Sequence, residues 1–225
     1  MYNSRILDTL IFKDSQIFLR DSHVERTFEA YGFLNVFVTR AEIEKVYLDI
    51  ENMHRHQLTP QQSLRIVFSR KLPIRYEVEI RELTPLQSTL KLQLHYLTEP
   101  QPEFFKFKWE NRQYWQDLIK QKTHPSVDDL ILVNPSHEVV ETTRFNVFCY
   151  DETSLHVYTP TLTSGCLNGV FRRHVLINKR IQLPEIGFRP VSEKKILSPE
   201  LIGSKIFIAN SVRGVIAAEL YMIQS

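Results

Sequence analysis

The feature that most restricts the fold of this chain is a change of rhythm on either side of Thr98-Glu-Pro-Gln-Pro-Glu103. That stretch holds two prolines and no apolar residue. It cannot continue a helix or a central strand, and it reads as a linker. Before it, short strand-like runs alternate with helix-like ones. Residues 6–12 and 16–19 predict two strands joined by the polar turn Lys13-Asp14-Ser15. Asp21-Ser22 opens a helical pattern with Val24, Phe28 and Tyr31 near one face, and residues 41–53 carry Ile43, Val46, Tyr47 and Ile50 on one stripe. Strands are expected at 64–68, 74–80 and 89–97. After the linker the pattern predicts a helix over 111–122, a continuous apolar strand over 130–133 and a strand, kink and strand over 138–150. A strand over 155–159, a helix over 170–178 and a buried strand over 205–209 follow. The expectation is an α+β chain of two domains, a small one over 1–100 and a larger one over 104–225.

Composition narrows the class. With 225 residues, 43% hydrophobic and 24% charged, the chain is sized for one large or two small domains and is not disordered. No run approaches the roughly 18 apolar residues of a membrane span. The N-terminus, MYNSRILDTLIFKD, has neither the charge-then-apolar pattern nor the cleavage site of an export signal. Two cysteines, Cys149 and Cys166, make no disulfide framework and point to a reducing compartment, so the chain is expected in the cytoplasm. A net charge of +2, with only the short basic pairs Arg172-Arg173 and Lys194-Lys195, gives no footprint for nucleic acid. His54-Arg-His56 lacks a third ligand nearby, so it reads as a solvated helix end rather than a metal site.

Three places carry chemistry. Five of the six glycines fall in the second half, and Gly165-Cys-Leu-Asn-Gly169 leads directly into a predicted helix. A flexible turn before a helix presents free N–H groups and the positive end of the helix dipole, which suits an anion such as a phosphate. Lys108 sits in Phe104-Phe-Lys-Phe-Lys-Trp109. Apolar surroundings disfavour an ammonium and make the amine nucleophilic, although an edge strand with a snorkelling lysine fits the same residues. Glu141 stands among Val139, Val140, Thr142 and Thr143, as an acid that must be paired if buried or that faces outward on its strand.

Taken together these blocks say more. Lys108-Trp-Glu-Asn-Arg112, Leu130-Ile-Leu-Val-Asn134, Glu138-Val-Val-Glu-Thr-Thr-Arg-Phe-Asn-Val-Phe148, Tyr158-Thr-Pro160, Gly165-Cys-Leu-Asn-Gly-Val-Phe-Arg172 and Ala209-Asn-Ser-Val-Arg-Gly214 follow in that order. Upstream, Asp8-Thr-Leu10 stands where Glu-Thr-aliphatic is usual, and His23-Val-Glu-Arg26 forms a His-x-x-Arg. The ensemble, over roughly residues 6–220, resembles the class IV (fold-type IV) pyridoxal-phosphate aminotransferase family. That family includes branched-chain and D-amino-acid transaminases and aminodeoxychorismate lyase. The resemblance implies a two-domain, D-amino-acid aminotransferase-like fold with the cofactor lysine in the larger domain. By it, Lys108 is the catalytic residue that holds pyridoxal 5′-phosphate covalently and then shuttles a proton. Glu141 pairs with the pyridinium nitrogen and keeps it protonated. Arg26, the backbone amides of Val170 and Phe171, and Ser211 take the cofactor phosphate. Asn146, Arg112 and Arg172 are implied to be structural, and His23 a helix-start residue. A homodimer acting on a small amino substrate is also implied.

The string Ile208-Ala-Asn-Ser-Val-Arg-Gly-Val-Ile-Ala-Ala-Glu-Leu220 looks most like the aminodeoxychorismate lyase branch. By that likeness the substrate is 4-amino-4-deoxychorismate, from which pyruvate is eliminated to leave 4-aminobenzoate, a compound of folate biosynthesis. The alternatives are an amino acid transaminase of branched-chain or D-amino-acid type, and a non-catalytic binding protein on the same fold. Retention of Lys108, Glu141 and Arg26 together argues against the last. Three departures stand out. The family has further residues before Glu-Thr, so a trimmed small domain is expected; Val140 replaces the usual Thr before Glu141; and Gln113, rather than tyrosine, lies five residues after Lys108.

Overall fold

A computed structural model describes residues 4–221. By its internal contacts the chain forms two compact units. The first runs up to Leu86 and takes back Phe107–Asn111; the second comprises Gln87–Lys106 and the chain from Arg112 onward.

The first unit begins with β1 (Ile6–Leu10), followed by the two-residue ribbon β2 (Phe12–Lys13) and β3 (Gln16–Ile17). Asp14 and Ser15 both take positive φ, 52° and 61°, the geometry a tight two-residue hairpin turn needs. α1 (Arg20–Phe33) starts one residue before the expected Asp21-Ser22, because Leu19 turns left-handed (φ 60°) and no side chain caps the helix. α2 (Arg40–His54) begins where the Thr39 hydroxyl and the Glu42 carboxylate cap each other's backbone N–H groups. β4 (Gln62–Phe68) and β5 (Tyr76–Glu82) complete an antiparallel sheet in the order β1-β4-β5.

The free side of β1 is occupied by the returning segment. Leu7 N–H donates to the Lys108 carbonyl at 2.9 Å, Glu110 N–H to the Arg5 carbonyl at 2.9 Å, and Ile6 bridges Trp109. Arg5 clasps the Glu110 carboxylate through Nε (2.8 Å) and Nη2 (2.9 Å). Period-2 alternation then separates the side chains. Phe107 and Trp109 lie over Phe33 of α1, with centroids 4.8 and 6.2 Å away, so Lys108 points to the opposite face, shared with Leu7 and Thr9. The segment pairs with β1 through an isolated bridge at Trp109 rather than forming the edge strand expected of it. No local pattern could show that its partner lies a hundred residues upstream.

The second unit is built on a nine-stranded mixed sheet: β6 (Thr89–Tyr96), β7 (Asp129–Val133), β8 (Val139–Thr142), β9 (Asn146–Asp151), β10 (His156–Pro160), β11 (Arg180–Leu183), β12 (Gly187–Lys194), β13 (Lys205–Asn210) and β14 (Gly214–Leu220). Its order is β11-β12-β10-β9-β13-β14-β6-β7-β8, with parallel pairs at β10/β12, β14/β6 and β6/β7. Two helices accompany it, α3 (Gln113–Ile119), shorter than the expected 111–122, and α4 (Val170–Ile177). Phe148, Val157, Val175, Ile181, Leu183, Val191 and Phe207 form one apolar cluster that seats α4 on the sheet. β11, β12 and β14 were not read from the sequence. β12 is mostly exposed, carries Pro190 and has little hydrophobic signal, while β14 has two alanines and gains its place from β13 and β6. The strand expected over 89–97 joins this second sheet, and residues 98–103 lie within the second unit.

Among the described residues no helix is long and apolar enough to cross a membrane. No group of three or more His, Cys, Asp or Glu among them could hold a metal ion.

Candidate active site

In the first unit the implied residues gather around Asp8. Its carboxylate is fully buried and accepts the Thr9 N–H (2.7 Å), His23 Nδ1–H (2.8 Å), Arg26 Nη2–H and the Tyr47 hydroxyl. Tyr47 in turn shares a 2.7 Å hydrogen bond with Thr27 Oγ1. His23 and Arg26 are three residues apart on α1, hence on one face of that helix, and Asp8 on β1 meets them both. Burial by itself disfavours the Asp8 anion. The surrounding donors win, chiefly His23 and Arg26, and the carboxyl is held well below the usual carboxylate range. His23 is pulled down, burial being the largest cause, with the Asp8 charge opposing it. The physical resolution is a neutral imidazole donating from Nδ1 to an ionised Asp8.

His23 is therefore more than a residue near a helix start: it is a fully buried partner of Asp8. Arg26 is 6% exposed. Among the described residues its Nη2 donates to Asp8, which leaves other N–H donors of the guanidinium for an anion. Lys108 is half-buried, and its Nζ donates to Thr9 Oγ1 at 3.0 Å. Its charge is felt at both Asp8 and His23.

In the second unit Glu141 is 4% exposed and makes no ion pair among the described residues. Its Oε2 accepts the Leu167 N–H at 3.2 Å and lies 3.5 Å from Asn146 Nδ2. Burial pushes its carboxyl up to about 8, against smaller pulls from the Leu167 N–H, Arg112 and Arg172. The chain directly after Glu141 is held by Asp129, which the sequence reading missed. Asp129 is fully buried at the head of β7 and accepts from Thr142 Oγ1 (3.1 Å), Thr143 Oγ1 (2.6 Å) and Arg144 Nε (3.2 Å), gathering the kink between β8 and β9. Arg112 donates to the Thr143 carbonyl at 2.7 Å and stacks over Trp115, and burial lowers it to about 10. A lone acid heading the apolar run Leu130–Val133 was the available signal for Asp129, because an acid there must find donors or face out.

The glycine turn arrives beside the same acid. Gly169 is the N-cap of α4, and no side chain caps it. The N–H groups of Val170 and Phe171 are thus among those that a helix leaves unpaired. Asn146 Nδ2 donates to the Leu167 carbonyl at 2.9 Å. Arg172 is buried, donating to the Pro160 carbonyl (2.8 Å), Asn168 Oδ1 (3.3 Å) and Glu193, so it fastens the turn at its far side. Both residues are structural here. Ser211 is 7% exposed in the β13–β14 turn, and its hydroxyl makes no hydrogen bond within the described residues. Asn210 Oδ1 shapes that turn by accepting from Val212 N (3.0 Å) and Arg213 N (2.8 Å). A cavity of about 710 Å³ lined by Ile186, Leu201, Phe207 and Ala217 contains none of these residues.

The model of the family described as amino-transferase class IV matches residues 5–221. The chain belongs to that family. Its members are enzymes dependent on pyridoxal phosphate. Solved structures agree on the fold. A Mesorhizobium loti protein provisionally named an amino-acid aminotransferase superposes with a TM-score of 0.78 at 20% identity, over 97% of this chain and 100% of that one. The 4-amino-4-deoxychorismate lyase of Pseudomonas aeruginosa gives 0.71 at 16%, over 97% and 83%. A hypothetical aminotransferase from Mycobacterium tuberculosis, in its PLP-bound form, gives 0.74 at 14%, over 96% and 81%. Among curated proteins no sequence matches.

The residues present fit the family's cofactor. Glu141 is a buried acid that makes no ion pair among the described residues, and a protonated ring nitrogen would supply one. Within the second unit, the open end of α4 suits a phosphate.

Proposed function

We propose that this chain is a pyridoxal-phosphate-dependent 4-amino-4-deoxychorismate lyase, releasing pyruvate and leaving 4-aminobenzoate. The observation that carries the cofactor part is the buried Glu141 carboxyl, held by the Leu167 N–H and making no ion pair among the described residues. The lyase part rests on the string from Ile208 to Leu220 and its likeness to that branch.

When bound, pyridoxal phosphate supplies an electron sink. Lys108 would hold it through Nζ, and its amine would serve as the acid and base that takes and returns the substrate proton. The Thr9 hydroxyl, 3.0 Å from Nζ, orients that amine. Glu141 gives its charge to a cationic ring nitrogen, which removes the cost of burying the acid alone. Arg26, the Val170 and Phe171 amides and the Ser211 hydroxyl hold the phosphate. Elimination needs no amino acceptor, since the substrate loses pyruvate without passing its amine on. The working protein is taken to be a homodimer; gel filtration that finds a fully active monomer removes that part.

The test is direct. Holoenzyme given aminodeoxychorismate alone should form 4-aminobenzoate and pyruvate in equal amounts. If it forms neither, and an amino acid alone converts the cofactor to its pyridoxamine form, the chain is a transaminase. If no cofactor absorbance develops with wild-type protein, the enzyme reading itself fails.

A further inference from the structure

The sheet of the first unit has one edge occupied and one open. Its order is β1-β4-β5, and the far side of β1 is taken by the segment around Trp109. β5, the 7 residues Tyr76–Glu82, has no strand beyond it among the described residues. Its register on β4 shows which backbone groups are spare. Ser69 N–H donates to the Arg75 carbonyl and Leu83 N–H to the Gln61 carbonyl, both at 2.7 Å. Those pairs lie on the same ladder as Arg65↔Glu79, so the odd-numbered residues of β5 spend their N–H and C=O groups on β4. Tyr76, Val78, Ile80 and Glu82 turn theirs outward, which makes a template for another strand.

The side chains along this edge are complementary to themselves. Antiparallel pairing with a second copy about a two-fold axis at Glu79 sets Val78 opposite Ile80, Glu77 opposite Arg81 and Tyr76 opposite Glu82. The whole strand overlaps, and outward backbone groups meet outward backbone groups. Ile80, 44% exposed in one chain, is then covered by Val78 of the other. The charge of Asp49 on α2 is felt at Tyr76, and Met53 one turn further on, 50% exposed, extends the apolar strip. Glu79 alone meets its own like, and Arg81 (2.7 Å) and Arg65 (3.6 Å) of its own chain already flank it. Sliding by two residues sets Glu77 against Glu79 one way and Val78 against Glu82 the other.

We propose that two copies of this chain pair through β5, antiparallel and edge to edge, with the two-fold axis at Glu79. This rests on the homodimer reading and assigns that dimer a contact surface. The two three-stranded sheets become one. Charged side chains guard an open edge against unrelated strands. Here they also select the same strand of a second copy, because Glu77 meets Arg81 in this register alone.

Cysteine scanning of the full-length chain tests the register. Glu79→Cys should give a disulfide-linked dimer with oxidised glutathione, since residues facing each other in a non-hydrogen-bonded pair have Cα atoms about 4.5 Å apart. Glu77→Cys should not link to itself, because its counterpart lies about 13 Å along the strand. It should link to Arg81→Cys when the two variants are mixed. The native Cys149 and Cys166 are both buried and do not compete. In sedimentation equilibrium, Arg81→Glu and Glu77→Arg should each weaken self-association by about tenfold or more, having like charges opposed. Mixed together, these two variants should pair with each other. A dimer that gives no Glu79→Cys link and ignores both charge variants overturns the edge and spares the homodimer reading. A link formed by Glu77→Cys alone overturns the register and with it the proposal. A wild-type chain that stays monomeric overturns both readings.

Discussion

A β-carbon added to Gly169 would lie 2.0 Å from Oδ1 of Asn146. The glycine is therefore required by a neighbour, since its own φ of −64° is open to any residue. Asn146 cannot withdraw freely, because its Nδ2 is committed to the Leu167 carbonyl at 2.9 Å and lies beside Glu141. Gly169→Ala should cost about 1–3 kcal/mol by overpacking. In an Asn146→Ala background the same change should cost much less. Urea unfolding of the two single variants and the double variant measures the coupling.

Glu141 gives the apo-protein a pH signature. Its carboxyl stands at about 8 when folded, against an ordinary 4.5, so the folded chain holds a proton that the unfolded chain has lost between those values. Stability contributed by this group is intact below about 4.5, declines as pH rises and is gone above about 8. Thermal unfolding of apo-protein from pH 5 to 8 should show the decline, and Glu141→Gln should flatten it. The same variant should bind cofactor more weakly, because an amide offers no charge to the ring nitrogen.

Asp8 is the most exacting position in the first unit. Asp8→Asn leaves Arg26 buried without its anion, and breaking such a pair costs about 3–5 kcal/mol. Tyr47→Phe removes one donor and leaves Thr27 Oγ1 with one partner fewer; about 1–2 kcal/mol is expected. Chemical denaturation of the two variants should rank them in that order. If Asp8→Asn were as stable as wild type, Asp8 would not be the charged centre of the cluster.

Lys108→Ala should abolish the visible absorbance of the holoenzyme and lower turnover by at least about 10²–10⁴-fold, the range for a lost acid–base group. Thr9→Val, which keeps the shape and removes the hydroxyl near Nζ, should lower kcat more than it raises KM. Steady-state kinetics and the absorbance spectrum of each purified variant separate the two effects.

Local pattern carried much of this far. The apolar stripe of Ile43, Tyr47 and Ile50 marked α2, and the glycines before Val170 marked α4, because helix periodicity and capping are written within a few residues. β14 escaped, since two alanines and a half-buried face give little signal until β13 and β6 are in place beside it. Tyr47 was legible as core. That its hydroxyl would end on Asp8 was not, because 39 residues separate the two.

The residue types themselves pointed to the family and to its candidate reactive side chains: a lysine among aromatics, an acid in apolar strand sequence and a glycine turn into a helix, in a fixed order. Only tertiary structure decided that Lys108 pairs with β1 and meets Thr9, that Asp8 gathers His23, Arg26 and Tyr47, and that Asp129 gathers Thr142, Thr143 and Arg144. The physical reason is that protonation and hydrogen bonding depend on burial and on partners brought together from distant parts of the chain, and neither is a property of any local stretch.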